Sequence, residues 1–434
     1  MQVATKEIAI EAVATPRGRR RWFVLALLFS ITVINFIDRQ TVSVLAPILK
    51  QVLHLSDTQY GRVVAAFQFG MMTGELPMGA LMDRWGVRLG LIGAVLWWSS
   101  ATGMQSLVRT GTHLGLTRFW MGTGECGNYS GGLKVVTRLF SPHERTLAIG
   151  IFNSGSMIGA TIAPPLIVYL LQHYGFRAAF LVAAALGVLW LPLWYWVYCE
   201  PSGVGAKRSD AIEPEAYAPA STGVSIGDRS LWAIMLCRFF IGPVMQFYWY
   251  WIPSYLFSAR HLSISQIGFL AWIPFLLGDI GGLAGGGAAG LLQRRGLRID
   301  TVRRWTMYTS SLLCIASLFV PLARSTAVAF LLIGIAMFAD NFLSANMFGS
   351  MTDLFPEQQL GRVTGFSGVA GGLSGLLFPL LTGVVVDHFS YTPVFALVAL
   401  MPLAGTAALF ILGRQGYQRI AAMAGNNVPH EAEE

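Results

Sequence analysis

Charge is what this sequence has least of. Only 12% of its 434 residues are Asp, Glu, Lys or Arg, about half the roughly 25% of a soluble globular chain. That shortage excludes a cytosolic enzyme, a disordered regulator and a DNA-binding domain. Cysteine is scarce too: Cys126, Cys199, Cys237 and Cys314 form no CxxC pair and no metal-ligand spacing, so neither a disulfide framework nor a metal site is expected. Catalytic signatures are missing as well. There is no GxSxG, no HExxH, no P-loop lysine and no dinucleotide-binding glycine fingerprint, and the seven histidines are scattered. The chain is expected not to be an enzyme and to need no cofactor.

Apolar residues fill the space instead, at 54% of the chain and a mean hydropathy of +0.57. A bilayer core of about 30 Å takes about 20 such residues per helix. Apolar segments lie at 22–47, 58–82, 88–108, 113–139, 145–171 and 176–198. After a polar stretch at 200–228, six more lie at 230–257, 265–292, 304–323, 326–354, 361–386 and 391–413. The pattern predicts an all-α polytopic membrane protein with 12 transmembrane helices in two six-helix halves. Its parts are a tail (1–21), a first half (22–198), a central loop (199–229), a second half (230–413) and a second tail (414–434). The first segment follows Arg17, Arg19, Arg20 and Arg21 as a signal peptide would, but it runs too long and lacks a small-residue cleavage site. It reads as an uncleaved helix.

Orientation follows from the loops. The termini and even-numbered loops hold 19 Lys and Arg, among them Arg17, Lys207, Arg208 and Arg419, against 6 in the odd-numbered loops. The positive-inside rule then places both termini in the cytoplasm. The same distribution explains the formal charge of +8 without any nucleic acid.

The halves repeat a pattern. After the second segment stands Gly79-Ala80-Leu81-Met82-Asp83-Arg84-Trp85-Gly86-Val87-Arg88, and after the eighth stands Gly286-Gly287-Ala288-Ala289-Gly290-Leu291-Leu292-Gln293-Arg294-Arg295-Gly296. The first copy resembles the GxLaDrxGrr signature of the major facilitator superfamily; the second departs from it, with Gly290 and Leu291 at the Asp and Arg positions. Asn35-Phe36-Ile37-Asp38-Arg39 is similar to the NYxDR motif of the anion:cation symporter family within it. Further likeness runs through Arg118-Phe119, Gly124-Glu125, Ser141-Pro142-His143-Glu144-Arg145, Phe152-Asn153-Ser154-Gly155-Ser156, Ala163-Pro164-Pro165, Trp251-Ile252-Pro253-Ser254-Tyr255-Leu256 and Asp353-Leu354-Phe355-Pro356. Within that family the chain looks most like proton-coupled hexuronate and related sugar-acid carriers. The resemblance implies a major facilitator fold whose halves rock around a midplane site.

Charges inside the bilayer ask for an explanation of their own, since each costs roughly 2.5–3.5 kcal/mol at a helix centre. The first segment carries Asp38 and Arg39, the fourth carries Arg118 and Glu125, and their formal charges cancel. Arg118 and Glu125 are seven residues apart, which puts them on one helix face about 10 Å apart. Two readings stand: ion pairs that hold two helices together, or an anion site whose Arg forks bind a carboxylate while the acids carry protons. The resemblance implies the second, with Arg39 and Arg118 for the substrate anion and Asp38 and Glu125 for protons. Asp38, adjacent to Arg39, is expected to pair with it until substrate competes. Glu75 is either a third titrating group or a protonated hydrogen-bonder. Asp83, Arg84, Arg88 and Asp279 are expected at the inner gate, while Asp340 has no assigned role. Lys134 and Arg238 are expected to snorkel to the interface.

Hydroxylated substrates need polar liners, for which Asn153, Ser156, Gln246 and Asn346 are candidates. The aromatic run Tyr248-Trp249-Tyr250-Trp251 is expected to be mostly interfacial belt or packing, with one or two pocket residues among it. Phe36 and Met71 stand where the family shows Tyr, and each removes a hydroxyl. The expected function is secondary active import of an organic anion, a hexuronate or aldonate, by proton symport in a bacterial inner membrane. The partners are the substrate, protons and the bilayer, with the chain acting as a monomer. Alternatives are a carrier of aromatic or dicarboxylic acids, a non-transporting sensor, or a channel.

Overall fold

An apolar segment in lipid has only itself to satisfy its backbone hydrogen bonds, so each becomes a helix. The computed structural model describes residues 19–199 and 225–418; most of both tails and of the central loop, with Arg17, Lys207, Arg208 and Arg419, lies outside the described residues. Five helices form the first half: α1 (Arg20–Val52), α2 (Asp57–Gln105), α3 (Gly111–Leu139), α4 (Pro142–Tyr174) and α5 (Phe176–Val197). Eight form the second: α6 (Arg229–Ser258), α7 (Ile264–Leu270), α8 (Trp272–Arg294), α9 (Ile299–Leu313), α10 (Ala316–Phe319), α11 (Thr326–Leu354), α12 (Glu357–His388) and α13 (Tyr391–Leu412).

These make 12 crossings. The second and third expected segments are both in α2, parted by a single non-helical residue, Gly86, at φ 78 and ψ 162. Positive φ with extended ψ is a region essentially closed to L-side chains, so glycine alone makes so short a corner. The eighth span is interrupted at Ala271 between α7 and α8, and the ninth is split between α9 and α10. Eight of the described helices are long and apolar enough to cross a bilayer on composition alone. Several helices outrun the expected segments: α1 has 33 residues, about 50 Å at 1.5 Å per residue, so its ends project past the hydrocarbon.

An even number of crossings puts Arg20 and Leu412 at one face, here called the terminal face. Each half is tied there internally. Arg21 grips Glu144 with both guanidinium nitrogens, at 2.9 and 2.8 Å. The Ser141 hydroxyl and Arg21 hold the Glu144 carboxyl below its ordinary range. Arg303 pairs with Asp353 at 2.7 Å. Small residues let helices approach within each half: a Cβ on Gly285 would come 2.6 Å from the Phe342 carbonyl of α11.

The halves meet at the opposite, far face. Asp387 at the end of α12 accepts the backbone N–H groups of Asp57 and Thr58, at 2.8 and 2.7 Å, capping α2 from the other half. Lys50 pairs with Asp57 at 2.5 Å. Deeper in, the Tyr60 hydroxyl donates to the Tyr250 carbonyl at 2.8 Å, and the Ser43 hydroxyl donates to the Trp249 carbonyl. Of the two expected roles for the aromatic run, packing is the one seen: Tyr248, Tyr250 and Trp251 are buried, because α6 packs against α1, α12 and α13 at once.

Candidate functional site

A cavity of about 410 Å³ sits between the halves, on the terminal side of this closure. Its first-half wall comes from α1 (Thr32, Asn35, Phe36, Arg39), α2 (Gln68, Met71, Met72, Glu75), α3 (Glu125, Cys126, Asn128, Tyr129, Ser130) and α4 (Phe152, Asn153, Ser156). Two glycines of α12, Gly368 and Gly372, form the other wall.

Arg39 and Glu125 are its charged centre. The Arg39 Nε and Nη2 both donate to Glu125 Oε2, at 3.0 and 2.8 Å. Glu125's other oxygen is buried without a hydrogen-bond partner. The Arg39 guanidinium lies 4.7 Å from the Phe36 ring centre and 5.2 Å from that of Phe67. Arg118 approaches the same Phe67 ring at 4.4 Å. Phe67 therefore gathers both guanidinium groups, and cation–π attraction steadies each.

Arg118 does not line the cavity. It is 0% exposed, with Nη1 on the Met121 sulfur at 3.4 Å and with Nε and Nη2 unpartnered. Asp38 is buried as well, beside the Trp98 indole, and neither carboxylate oxygen has a hydrogen-bond partner. The expected Asp38–Arg39 pair is not formed. Neighbours on a helix point about 100° apart, so Asp38 faces inward to α2 while Arg39 turns to α3.

Several other side chains sit differently from expectation. Glu75 lines the cavity but is exposed rather than buried. Gln246 is one step back, accepting from Gln68 Nε2 at 2.7 Å. Asn346 lies outside the cavity: its Oδ1 accepts from Arg303 and Thr306, both at 3.1 Å, and its Nδ2 donates to the Gly285 carbonyl at 3.2 Å. Lys134 reaches toward the terminal face and pairs there with the exposed Asp83 at 2.6 Å, because Gly79 and Asp83 of α2 lie within reach of α3. Arg84 is exposed at the terminal face, and Arg88 covers the Tyr195 ring at 4.2 Å. Asp279 stands 15 residues before Arg294 in α8, about 22 Å along the axis, mid-bilayer and away from that cluster. Arg238 turns inward, 5.3 Å from the Phe348 ring.

Sequence reasoning did not single out Gln68 or Asn128 as liners, nor the Asp387 cap. Asn128 donates to Thr32 at 3.2 Å, a link between α3 and α1. Its three-residue offset from Glu125 places it on the same helix face, a signal that was present. Asp387 carries no such signal, since its partner amides are 330 positions away. Among the described residues no group of His, Cys, Asp and Glu could hold a metal ion.

A hexuronate transporter of Escherichia coli K12 is 29% identical over 402 residues, spanning 90% of this chain and 93% of that one. A probable L-galactonate transporter of the same organism is 30% identical over 407 residues, spanning 90% and 89%. Among solved structures, an inward-facing bacterial homologue of the human lysosomal transporter Spinster superposes with a TM-score of 0.73 at 19% identity, covering 94% of this chain and 98% of that one. A D-xylose–proton symporter does so with a TM-score of 0.73 at 15% identity, over 90% and 96%. At such identities the two structures speak for the fold alone. The family profile described as Major Facilitator Superfamily matches residues 28–299 and 296–424, and with it the chain belongs to that superfamily of membrane transporters and is not an enzyme.

Proposed function

We propose that the chain imports an organic anion, a sugar acid of the hexuronate or aldonate class, by proton symport across a bacterial inner membrane, with both termini in the cytoplasm. The observation that carries this reading is the Arg39–Glu125 ion pair on the wall of a polar cavity. A guanidinium fork suits a carboxylate in two-point contact, and here that fork is occupied by an acid of the protein itself. Protonating Glu125 removes its charge and frees Arg39 for the substrate carboxylate. Releasing the proton restores the pair and expels the anion. Arg118 and Asp38, buried just behind Phe67, set the field around that exchange. Asn35, Asn128, Asn153, Ser156 and Gln68 supply donors and acceptors for hydroxyls. The terminal tie through Glu144 and the Lys134–Asp83 pair hold the cytoplasmic ends of the first half as it moves. Division of labour between Glu125 and Asp38, with Glu75 as a third acid, belongs to the same reading.

The relatives named for hexuronate and L-galactonate support the substrate class. Uptake into proteoliposomes of labelled hexuronates and aldonates, with and without a protonophore, tests it. Accumulation above the outside concentration that collapses with the protonophore is the expected result. Downhill flux unaffected by it would indicate a channel, and binding without flux a sensor. Preference for aromatic or dicarboxylic acids over every sugar acid would replace the substrate class.

A further inference from the structure

The repeat extends beyond helices to an acid. α3 and α11 are the fourth spans of their halves, and each has 29 residues. Glu125 is the fifteenth residue of α3 and Asp340 the fifteenth of α11. Both are buried at 2% exposure. Each also has an arginine on the first span of its own half whose charge reaches it. These arginines are out of register: Arg39 is the twentieth residue of α1 and Arg238 the tenth of α6. In the first half acid and arginine touch at 2.8 Å. In the second, Arg238 and Asp340 feel one another's charge, with no ion pair between them among the described contacts.

Asp340 Oδ1 has no hydrogen-bond partner. A buried carboxyl in that condition must meet either an approaching cation or a proton, since an isolated charge away from water is costly. The groups facing it are few. Arg238 and Tyr248 come from α6, with the Tyr248 hydroxyl already 2.5 Å from Ser317, and Cys314 comes from the junction of α9 and α10. α8 turns glycines toward α11, Gly281 and Gly285 among them. Arg238 also packs against α12, where a Cβ on Gly371 would lie 3.0 Å from its Nε.

We infer that Asp340 is a second proton-carrying site, the repeat counterpart of Glu125, with Arg238 as its cation. Its carboxylate takes a proton from water on one side when Arg238 is withdrawn. It returns that proton to the other side when Arg238 approaches. The inference rests on the proton-symport reading and adds a site to it.

The test is the proton-to-substrate ratio, read in proteoliposomes as the membrane potential that just balances a known substrate gradient. Asp340→Asn is expected to lower the ratio by one proton per substrate, while Asp340→Glu keeps it. An unchanged ratio in Asp340→Asn overturns the inference and leaves proton symport standing. Absence of proton-coupled flux in the wild type overturns both. Should Asp340→Asn not assemble, infrared difference spectra across a pH jump on the wild type and Asp340→Glu decide instead. A protonated-carboxyl band that moves with the substitution supports the site, and a band that does not move overturns it.

Discussion

Removing the Asp387 carboxylate should loosen the far face without touching the cavity. Asp387 accepts two backbone N–H groups at the start of α2, at 2.8 and 2.7 Å. It joins Ser56, the N-cap of α2's own half, which accepts from Gln59. An N-cap side chain contributes about 0.5–2 kcal/mol, and an anion at a helix N-terminus about 0.3–1 kcal/mol. Asp387 is exposed, so a total of about 1–2 kcal/mol follows, a factor of 5–30 in the ratio of open to closed far face. Nitroxide labels at Gln51 and Phe389, both exposed, would read that ratio by double electron–electron resonance, with exposed Cys199 changed to Ser. Asp387→Ala should enlarge the long-distance population by that factor. Asp387→Asn keeps one acceptor oxygen and should shift it less. Distance distributions that match wild type in Asp387→Ala would refute the reasoning, since the cap would then contribute nothing to closure.

Arg39→Ala and Arg118→Ala should each abolish uptake with membrane insertion intact; for Arg39 the variant strands Glu125, and breaking a buried pair in that way costs about 3–5 kcal/mol. Arg39→Lys should also fail in uptake assays, because a point charge cannot make the two-point contact. Glu125→Gln mimics the protonated acid, so counterflow should survive while pH-driven accumulation is lost; accumulation against a gradient would remove Glu125 from coupling. Gly86→Ala should lower the melting temperature by the equivalent of about 1–3 kcal/mol, the cost of holding an L-residue in a backbone region that is essentially glycine's alone. Glu144, held below the ordinary carboxylate range by Ser141 and Arg21, should tie α4 to α1 at neutral pH and release it as pH falls through that lowered value. Amide exchange over residues 19–24 should then rise in acid in the wild type and be pH-independent in Glu144→Gln, after correction for intrinsic rates.

The twelve crossings were readable because lipid imposes length and apolarity on each span, and the bounds of α11 coincide with the expected 326–354. The corner at Gly86 was visible only as a motif, since one positive φ leaves no trace in hydropathy. Charge placement told which residues matter but not their partners. Arg39 and Asp38 are neighbours in sequence, yet Arg39 reaches across to Glu125, 86 positions away. Helix periodicity fixes the face of a residue and not the helix opposite that face. The same limit explains Arg238, which lies within reach of a helix end on paper but finds a nearer neighbour inside the bundle. Asn346 was polar and mid-helix as a liner should be, but Arg303 of the same half claims it first.

The glycine wall at Gly368 and Gly372 has a consequence for how such a carrier tells one epimer from another. Helical backbone has already committed its N–H and C=O groups to the helix, so that wall offers bulk and shape but no vocabulary for hydroxyls. In this conformation every side chain able to read a stereocentre stands on the first half. On the transport reading proposed above, discrimination thereby falls to the first half, and the glycine wall supplies only a surface. On the same reading, a change of substrate would come from editing the liners of α1 to α4 and not the glycine wall.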